Sequence, residues 1–118
     1  MVARYRLKRA IDDLLDEAVA LRVAADRHFS PDFRQTVNGL AVDREAFIDA
    51  VETLRPQLKQ SRVTVLDEVV DTARYAQRHR IELTLRDGSR VSREVYVFAE
   101  LDAESRFVRI DEVTLDVL

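Results

Sequence analysis

The sequence predicts an α+β fold in one domain, residues 1–118, with helices packed on one face of an antiparallel sheet. Apolar residues recur at helical spacing through the first part of the chain. After Ser61 the character changes to alternating runs rich in β-branched residues: "RVTVLDEVV", "RYAQRHRIELTLR", "RVSREVYVFAEL" and "RFVRIDEVTLDVL". Asp87-Gly88 and "DAES" separate the later runs, so helices are followed by strands in meander order. The length of 118 residues suits one domain with a real core and is too short for two. Only two glycines and two prolines occur, so regular elements dominate.

Leu7, Ile11, Leu14, Leu15, Ala18, Leu21 and Ala25 fall at helical steps, while Asp12, Asp13, Asp16, Glu17, Arg22 and Asp26 mark the wet side. This is one amphipathic helix, or two with a bend. In "HFSPDF", Ser30 is placed to cap and Pro31 to open a short helical turn. "FRQTVNG" reads as a short strand entering an Asn38-Gly39 turn. Asp43 is a good N-cap for a second helix from Arg44, with Phe47, Val51, Leu54 and Leu58 on its apolar face. Pro56 should kink or end that helix.

The hairpin around Asp87-Gly88 has a register that burial decides. A two-residue loop would set Leu85 opposite Arg90 and Ile81 opposite Glu94, aliphatic against charged. A loop of Arg86-Asp87-Gly88, with Gly88 left-handed, sets Leu83 opposite Val91 and His79 opposite Val95. Both apolar sets then share one face. That face carries Tyr75, Gln77, His79, Ile81, Leu83, Leu85, Val91, Val95, Val97 and Ala99, and the helices should cover it.

The formal net charge is −3 with both signs interspersed, which argues against a nucleic-acid binder. The absence of cysteine excludes disulfides, thiol nucleophiles and cysteine-ligated zinc. "MVARYRLKRAIDDLLDE" lacks the apolar run of a signal peptide, and nothing later approaches a membrane span, so the expected location is cytoplasmic. His28 and His79 are the only histidines, and neither sits in a metal-ligand spacing. No glycine-rich phosphate loop or nucleophile elbow occurs. The expectation is therefore no metal and no cofactor.

The order helix, short strand, helix, long strands resembles the nuclear transport factor 2-like superfamily, in particular its SnoaL-like (polyketide-cyclase-like) members. The resemblance spans nearly the whole chain and rests on "DFRQTVNGLAVDREAFIDAVETLR" and "REVYVFAELDAESRFVRIDEVTL". It implies N-terminal helices on the concave face of a curved, mostly antiparallel sheet: a cone-shaped, cystatin-like α+β barrel enclosing a cavity. Such proteins include isomerases, dehydratases, cyclases and epoxide hydrolases, and binding or assembly modules without chemistry. Several of their acid-base positions are changed here. Thr36 stands where many relatives carry a histidine, as does Asp49 or Ala50 in the following helix. Val97 stands where an ungapped comparison with ketosteroid isomerases places their pocket acid. Ser105 replaces a glycine common before the last strand. The same comparison implies that Ile110, Glu112 and Thr114 point inward, which alternation alone leaves open against Phe107, Arg109, Asp111 and Val113.

His79, between valines, is a candidate proton carrier because desolvation favours its neutral form; the alternative is a core-rim histidine that satisfies one hydrogen bond. Glu112 is the candidate partner, since a carboxylate on an inward apolar row is costly unless paired or protonated. Its alternative is a solvated strand end, or an ion pair with a helix arginine such as Arg22. Asp111 and Glu112 do not form a catalytic pair, because neighbours on a strand face opposite sides. Tyr75 and Gln77 are expected either at the polar mouth of an apolar pocket also lined by Val95, Val97, Ala99, Ile110 and Thr114, or as packing at the edge of the core. The partner expected there is a small apolar molecule. Binding without assured catalysis is the main reading, and a small isomerase-, cyclase-, dehydratase- or hydrolase-like enzyme using His79 and Glu112 is the alternative. The opposite sheet face carries Arg78, Arg80, Glu82, Glu94, Tyr96 and Phe98, aromatics among pairable charges. Since relatives often dimerise through the sheet, a homodimer through this face is expected.

Overall fold

The computed structural model describes residues 4–117, and its N-terminal segment is two helices. α1 (Arg6–Leu15) buries Leu7, Ala10 and Leu14, and α2 (Leu21–His28) buries Ala24, Ala25 and His28. The break follows from Asp16, whose backbone leaves helical geometry and whose carboxylate accepts from the Ala18 N–H at 2.9 Å. Such local side-chain bonding competes with helix continuation.

β1 (Phe29–Val37) begins at once, so the helical turn expected at Ser30-Pro31 does not form. Ser30 Oγ instead accepts from the Asp32 N–H at 3.2 Å. The ladder there jumps from the pair Phe29–Phe107 to the pair Arg34–Arg109. Proline has no N–H to give a ladder and is tolerated at such an irregularity. Asn38 (φ 48°) and Gly39 (φ 86°) then turn the chain into β2 (Leu40–Asp43), a strand too short to announce itself by alternation. The Asp43 carboxylate accepts from the Ala46 N–H at 2.9 Å and caps α3 (Arg44–Leu54). Pro56 ends that helix in a single 3₁₀ turn, Arg55–Gln57, so Leu58 is not helical but opens β3 (Leu58–Asp71).

β4 (Arg74–Leu85), β5 (Arg90–Leu101) and β6 (Phe107–Asp116) complete a curved six-stranded sheet of order β2-β1-β6-β5-β4-β3. Every neighbouring pair is antiparallel except β1 with β6. The helices lie on the inner face: α1 packs on β3, α3 on β1 and α2 between α1 and β1. The α+β class is thus as expected, and so is the hairpin register. Leu83 faces Val91, His79 faces Val95, and Gly88 takes φ 90°. Ser105 takes the left-handed conformation itself, with φ 62°, so the turn before β6 forms without glycine.

Two of the sheet's bulges decide which residues face inward at the Tyr75 end. In β3, Val65 pairs with His79 and Asp67 with Arg78, leaving Leu66 as the extra residue. Beyond it the phase reverses, and Glu68 joins Gln77 on the inner face. In β6, Phe107 pairs with Leu101 and Arg109 with Glu100, so Val108 is extra. Phe107 therefore lies fully buried, and does not share the face of Arg109, Asp111 and Val113 as simple alternation groups it. It anchors an aromatic cluster with Phe29 (5.8 Å between ring centroids) and Tyr75 (5.9 Å). Phe33 and Phe47 extend the cluster through Phe29.

Candidate functional site

Between the inner sheet face and the apolar sides of α1 and α3 lies a cavity of about 280 Å³. Leu7, Ile11, Leu14, Phe47, Val51, Ile81, Leu83 and Val91 supply much of its wall. The polar groups on it are Gln35, His79, Arg93, Glu112 and Thr114. Of the residues proposed from sequence, His79, Glu112, Val95, Val97, Ile110 and Thr114 line this space, and Tyr75, Gln77 and Ala99 do not.

The polarity of the β4 row is thus reversed from expectation. Tyr75, at 2% exposure, and Gln77, at 4%, are sealed into the core, whereas Ile81 and Leu83 are only half-buried at the cavity. The reason lies in the packing. Phe107 meets Tyr75 edge-on, and Glu68 comes in over the Tyr75 hydroxyl, closing that end. The charged rim is instead Arg93, which donates from Nε to Asp116 Oδ1 at 2.9 Å.

Strand pairing brings the polar lining together. Glu112 stands beside Val97, Thr114 beside Val95 and Ile110 beside Ala99. The position compared with the pocket acid of ketosteroid isomerases is thus an apolar wall residue, with a carboxylate one strand away. Glu112 is not paired with Arg22, which binds Glu45. Its Oε1 accepts from Gln35 Nε2 at 2.8 Å. Burial pushes the Glu112 carboxyl above the ordinary carboxylate pKa, with the Gln35 hydrogen bond pulling the other way.

His79 is 3% exposed, and burial pushes its imidazole down to about 4, so the ring is neutral at pH 7. Its Nδ1 lies 2.8 Å from Gln77 Oε1, and Nε2 has no protein partner among the described residues. Gln77 Nε2 donates in turn to the Tyr75 hydroxyl at 3.2 Å and to Glu68 Oε2 at 3.3 Å. The Tyr75 hydroxyl donates to the same Glu68 oxygen. Burial, followed by that hydrogen bond, pushes the Tyr75 phenol up, which keeps it protonated. No hydrogen bond joins His79 to Glu112. β5 lies between their strands, which sets the two backbones roughly 10 Å apart at two strand spacings.

Sequence reasoning missed Gln35, Arg93 and Glu68. Arg93 was visible in principle, as the member between Val91 and Val95 on the inward row. Gln35 reaches Glu112 only because β1 runs parallel to β6, a long-range pairing with no local signature. Glu68 faces inward only because of the Leu66 bulge.

On the opposite face, Glu94 pairs with both Arg78 and Arg80, and Arg78 also pairs with Asp67. Glu82 is exposed, and Phe98, at 71% exposure, stands with exposed Tyr96, Val113 and Leu115. Among the described residues no cluster of three or more His, Asp or Glu stands ready to hold a metal ion. No helix there is long and apolar enough to cross a membrane.

No protein-family model matches the sequence, and no curated protein matches it. Solved structures do. A candidate isomerase from Rhodopseudomonas palustris is similar at TM-score 0.79 and 13% identity, over 97% of this chain and 90% of that one. A nuclear transport factor 2-like protein of unknown function from Exiguobacterium sp. 255-15 is similar at 0.73 and 19%, over 95% and 99%. A candidate SnoaL-like polyketide cyclase from Jannaschia sp. CCS1 is similar at 0.66 and 17%, over 92% and 85%. At these identities the likeness is one of backbone architecture, and the chain has the nuclear transport factor 2-like fold that SnoaL-like proteins share.

Proposed function

We propose that the protein binds a small, largely apolar molecule in the cavity between α1, α3 and the sheet. One observation carries this reading: His79, through an Nε2 without a protein partner among the described residues, and Glu112, held by Gln35 through one oxygen, stand on a mostly aliphatic and aromatic cavity wall with Arg93 and Thr114 as its other polar members. An apolar cavity with a few convergent polar groups is what small-molecule sites have in common. The expected result is a rise in melting temperature with at least one member of a panel of steroids, terpenes, aromatic polyketides and fatty acids. A ligand at a hundredfold excess over its Kd stabilises the native state by about 2.7 kcal/mol, a shift of several degrees. The shift should shrink in His79→Ala or Glu112→Gln. A panel without a single hit, and two variants as stable as the wild type, defeats the proposal.

A second reading is favoured by the two shifted groups. A neutral imidazole and a carboxyl of raised pKa on one cavity are suited to moving protons on a bound molecule. With β5 between them they would act on different parts of that molecule and not on each other. Some proteins of similar fold are candidate isomerases or cyclases, which fits this alternative. Turnover of a hit identified above decides it.

We also propose a homodimer through the outer sheet face, with Phe98 and Tyr96 buried between protomers and Arg78, Arg80, Glu82 and Glu94 around them. The exposed apolar group of Phe98, Tyr96, Val113 and Leu115 supports it. Sedimentation at micromolar concentration is expected to give a dimer that Phe98→Glu converts to a monomer. A wild-type monomer would rule this out.

A further inference from the structure

The bulge at Leu66 has a specific result. It turns the Glu68 carboxylate inward, to the start of α1, where both its oxygens accept from the Tyr5 N–H at 3.0 and 2.9 Å. Glu68 Oε2 also receives the Tyr75 hydroxyl and the Gln77 amide. A carboxylate oxygen can only accept, so it faces the NH₂ end of Gln77 and turns the amide oxygen toward His79. An amide oxygen can only accept as well. The hydrogen between it and His79 Nδ1, 2.8 Å apart, therefore belongs to Nδ1. In a neutral ring this leaves Nε2 as a bare lone pair.

We infer that Glu68, Tyr75 and Gln77 are positioning residues that lock His79 in its Nδ1–H tautomer, and that Nε2 is thereby the acceptor for a hydroxyl group on an otherwise apolar ligand. The second half rests on the reading of the cavity as a binding site. A ketone or ether oxygen has no hydrogen to give Nε2 and would set two lone pairs together. A second hydroxyl, placed two strand spacings from the first, would suit the rest of the lining too, because it both donates and accepts and so can meet Glu112 in either protonation state, as well as Gln35 and Thr114. Bulges commonly re-aim a side chain beside a functional site. Here the re-aimed side chain sets a proton's position two groups away, through Gln77.

The test uses the full chain labelled with ¹⁵N. Only two histidines are present, so the imidazole spectrum is simple, and loss of signals in His79→Leu assigns the ring. At pH 7 the wild type is expected to show a pyrrole-type Nδ1 and a pyridine-type Nε2 for His79. Tyr75→Phe keeps the ring packed but removes one of the two acceptors that orient the Gln77 amide, and Glu68→Gln removes the charged anchor of the network. Both are expected to populate the Nε2–H form, which a merely structural role would not produce. A wild-type ring already protonated at Nε2, or a tautomer unmoved by both variants, overturns the lock. If both variants fail to fold, the wild-type spectrum alone decides it.

The ligand half is read with 2-naphthol against 2-methoxynaphthalene, which matches its shape without the donor. 2-Naphthol is expected to bind about five- to tenfold tighter, the worth of one hydrogen bond, and to shift the Nε2 resonance. That preference should vanish in His79→Leu. Equal binding of the two probes, with the cavity thereby occupied, overturns the hydroxyl assignment alone. Binding of neither defeats the cavity reading and the assignment with it, leaving the tautomer to stand or fall on its own spectrum.

Discussion

Replacing Arg55 with methionine is expected to cost roughly 3–5 kcal/mol of folding stability, the largest loss of any single polar substitution in the chain. Arg55 is a buried guanidinium at the end of α3, and its partners are backbone carbonyls. Nε donates to Leu14 O at 2.6 Å, Nη1 to Val19 O at 2.7 Å and Nη2 to Asp13 O at 3.1 Å. Two of these carbonyls belong to the last turn of α1, where helix geometry leaves acceptors unpaired and the dipole end is negative. The third lies in the loop leading to α2. One side chain thus fastens α1, the loop and α3 together. Methionine matches much of its volume and none of its donors, stranding buried acceptors. Lysine keeps the charge but lacks the planar fork, and should recover only a minor part of the loss. Urea denaturation measures it; a loss below about 1 kcal/mol would show that water replaces the guanidinium at these carbonyls. Because Leu7, Ile11 and Leu14 of α1 wall the cavity, ligand affinity should fall in the same variant.

Arg55 also marks where sequence reading stops. Its pattern, an arginine before proline at a helix end, is that of an exposed residue, because backbone acceptors leave no trace in side-chain periodicity. The same limit explains the other departures. Alternation placed Tyr75, Gln77 and His79 on the inner face correctly, since burial of one face is a local and repeated demand. It carried no information on which end of the row opens to solvent, which depends on elements far away in the chain: Phe107 and Glu68 close over Tyr75. Each of these two reaches that place through a bulge, and a bulge inverts the very parity that alternation relies on. The hairpin register was legible because Gly88 and two apolar rows constrained it together. The parallel β1–β6 pairing, and with it Gln35 beside Glu112, had no comparable local constraint. The resemblance supplied one thing that periodicity left open, the inward facing of Ile110, Glu112 and Thr114.

The two shifted groups on the cavity predict opposite responses of stability to pH. His79 is held near 4 in the folded chain, against an unfolded value of 6.5. Above pH 6.5 it is neutral in both states and contributes no dependence. Between pH 6.5 and 4 the unfolded chain binds a proton that the native state refuses, so stability falls as pH falls. The slope is that of one proton, and the total loss by pH 4 is on the order of 3 kcal/mol. Glu112 works the other way. Its folded pKa is raised, so the native state holds a proton that the unfolded chain releases. Its contribution is fully present below the unfolded carboxyl pKa and is lost as pH rises through the folded one. In the wild type the two partly offset each other wherever their windows overlap, which is why variants are needed to see either. His79→Leu strands Gln77 Oε1 and shifts the whole curve down, but that offset does not depend on pH, so the slope is the readout. Relative to wild type, His79→Leu is expected to flatten the acid side of the stability curve between pH 6.5 and 4. Glu112→Gln is expected to steepen it, since it removes the group whose protonation favours the native state. Curves of ΔG against pH that run parallel for wild type and His79→Leu across that window would mean the imidazole is as hydrated in the folded chain as in the unfolded one. The cavity at Nε2 would then be filled with water, and His79 could not discriminate among apolar ligands by a dry hydrogen bond.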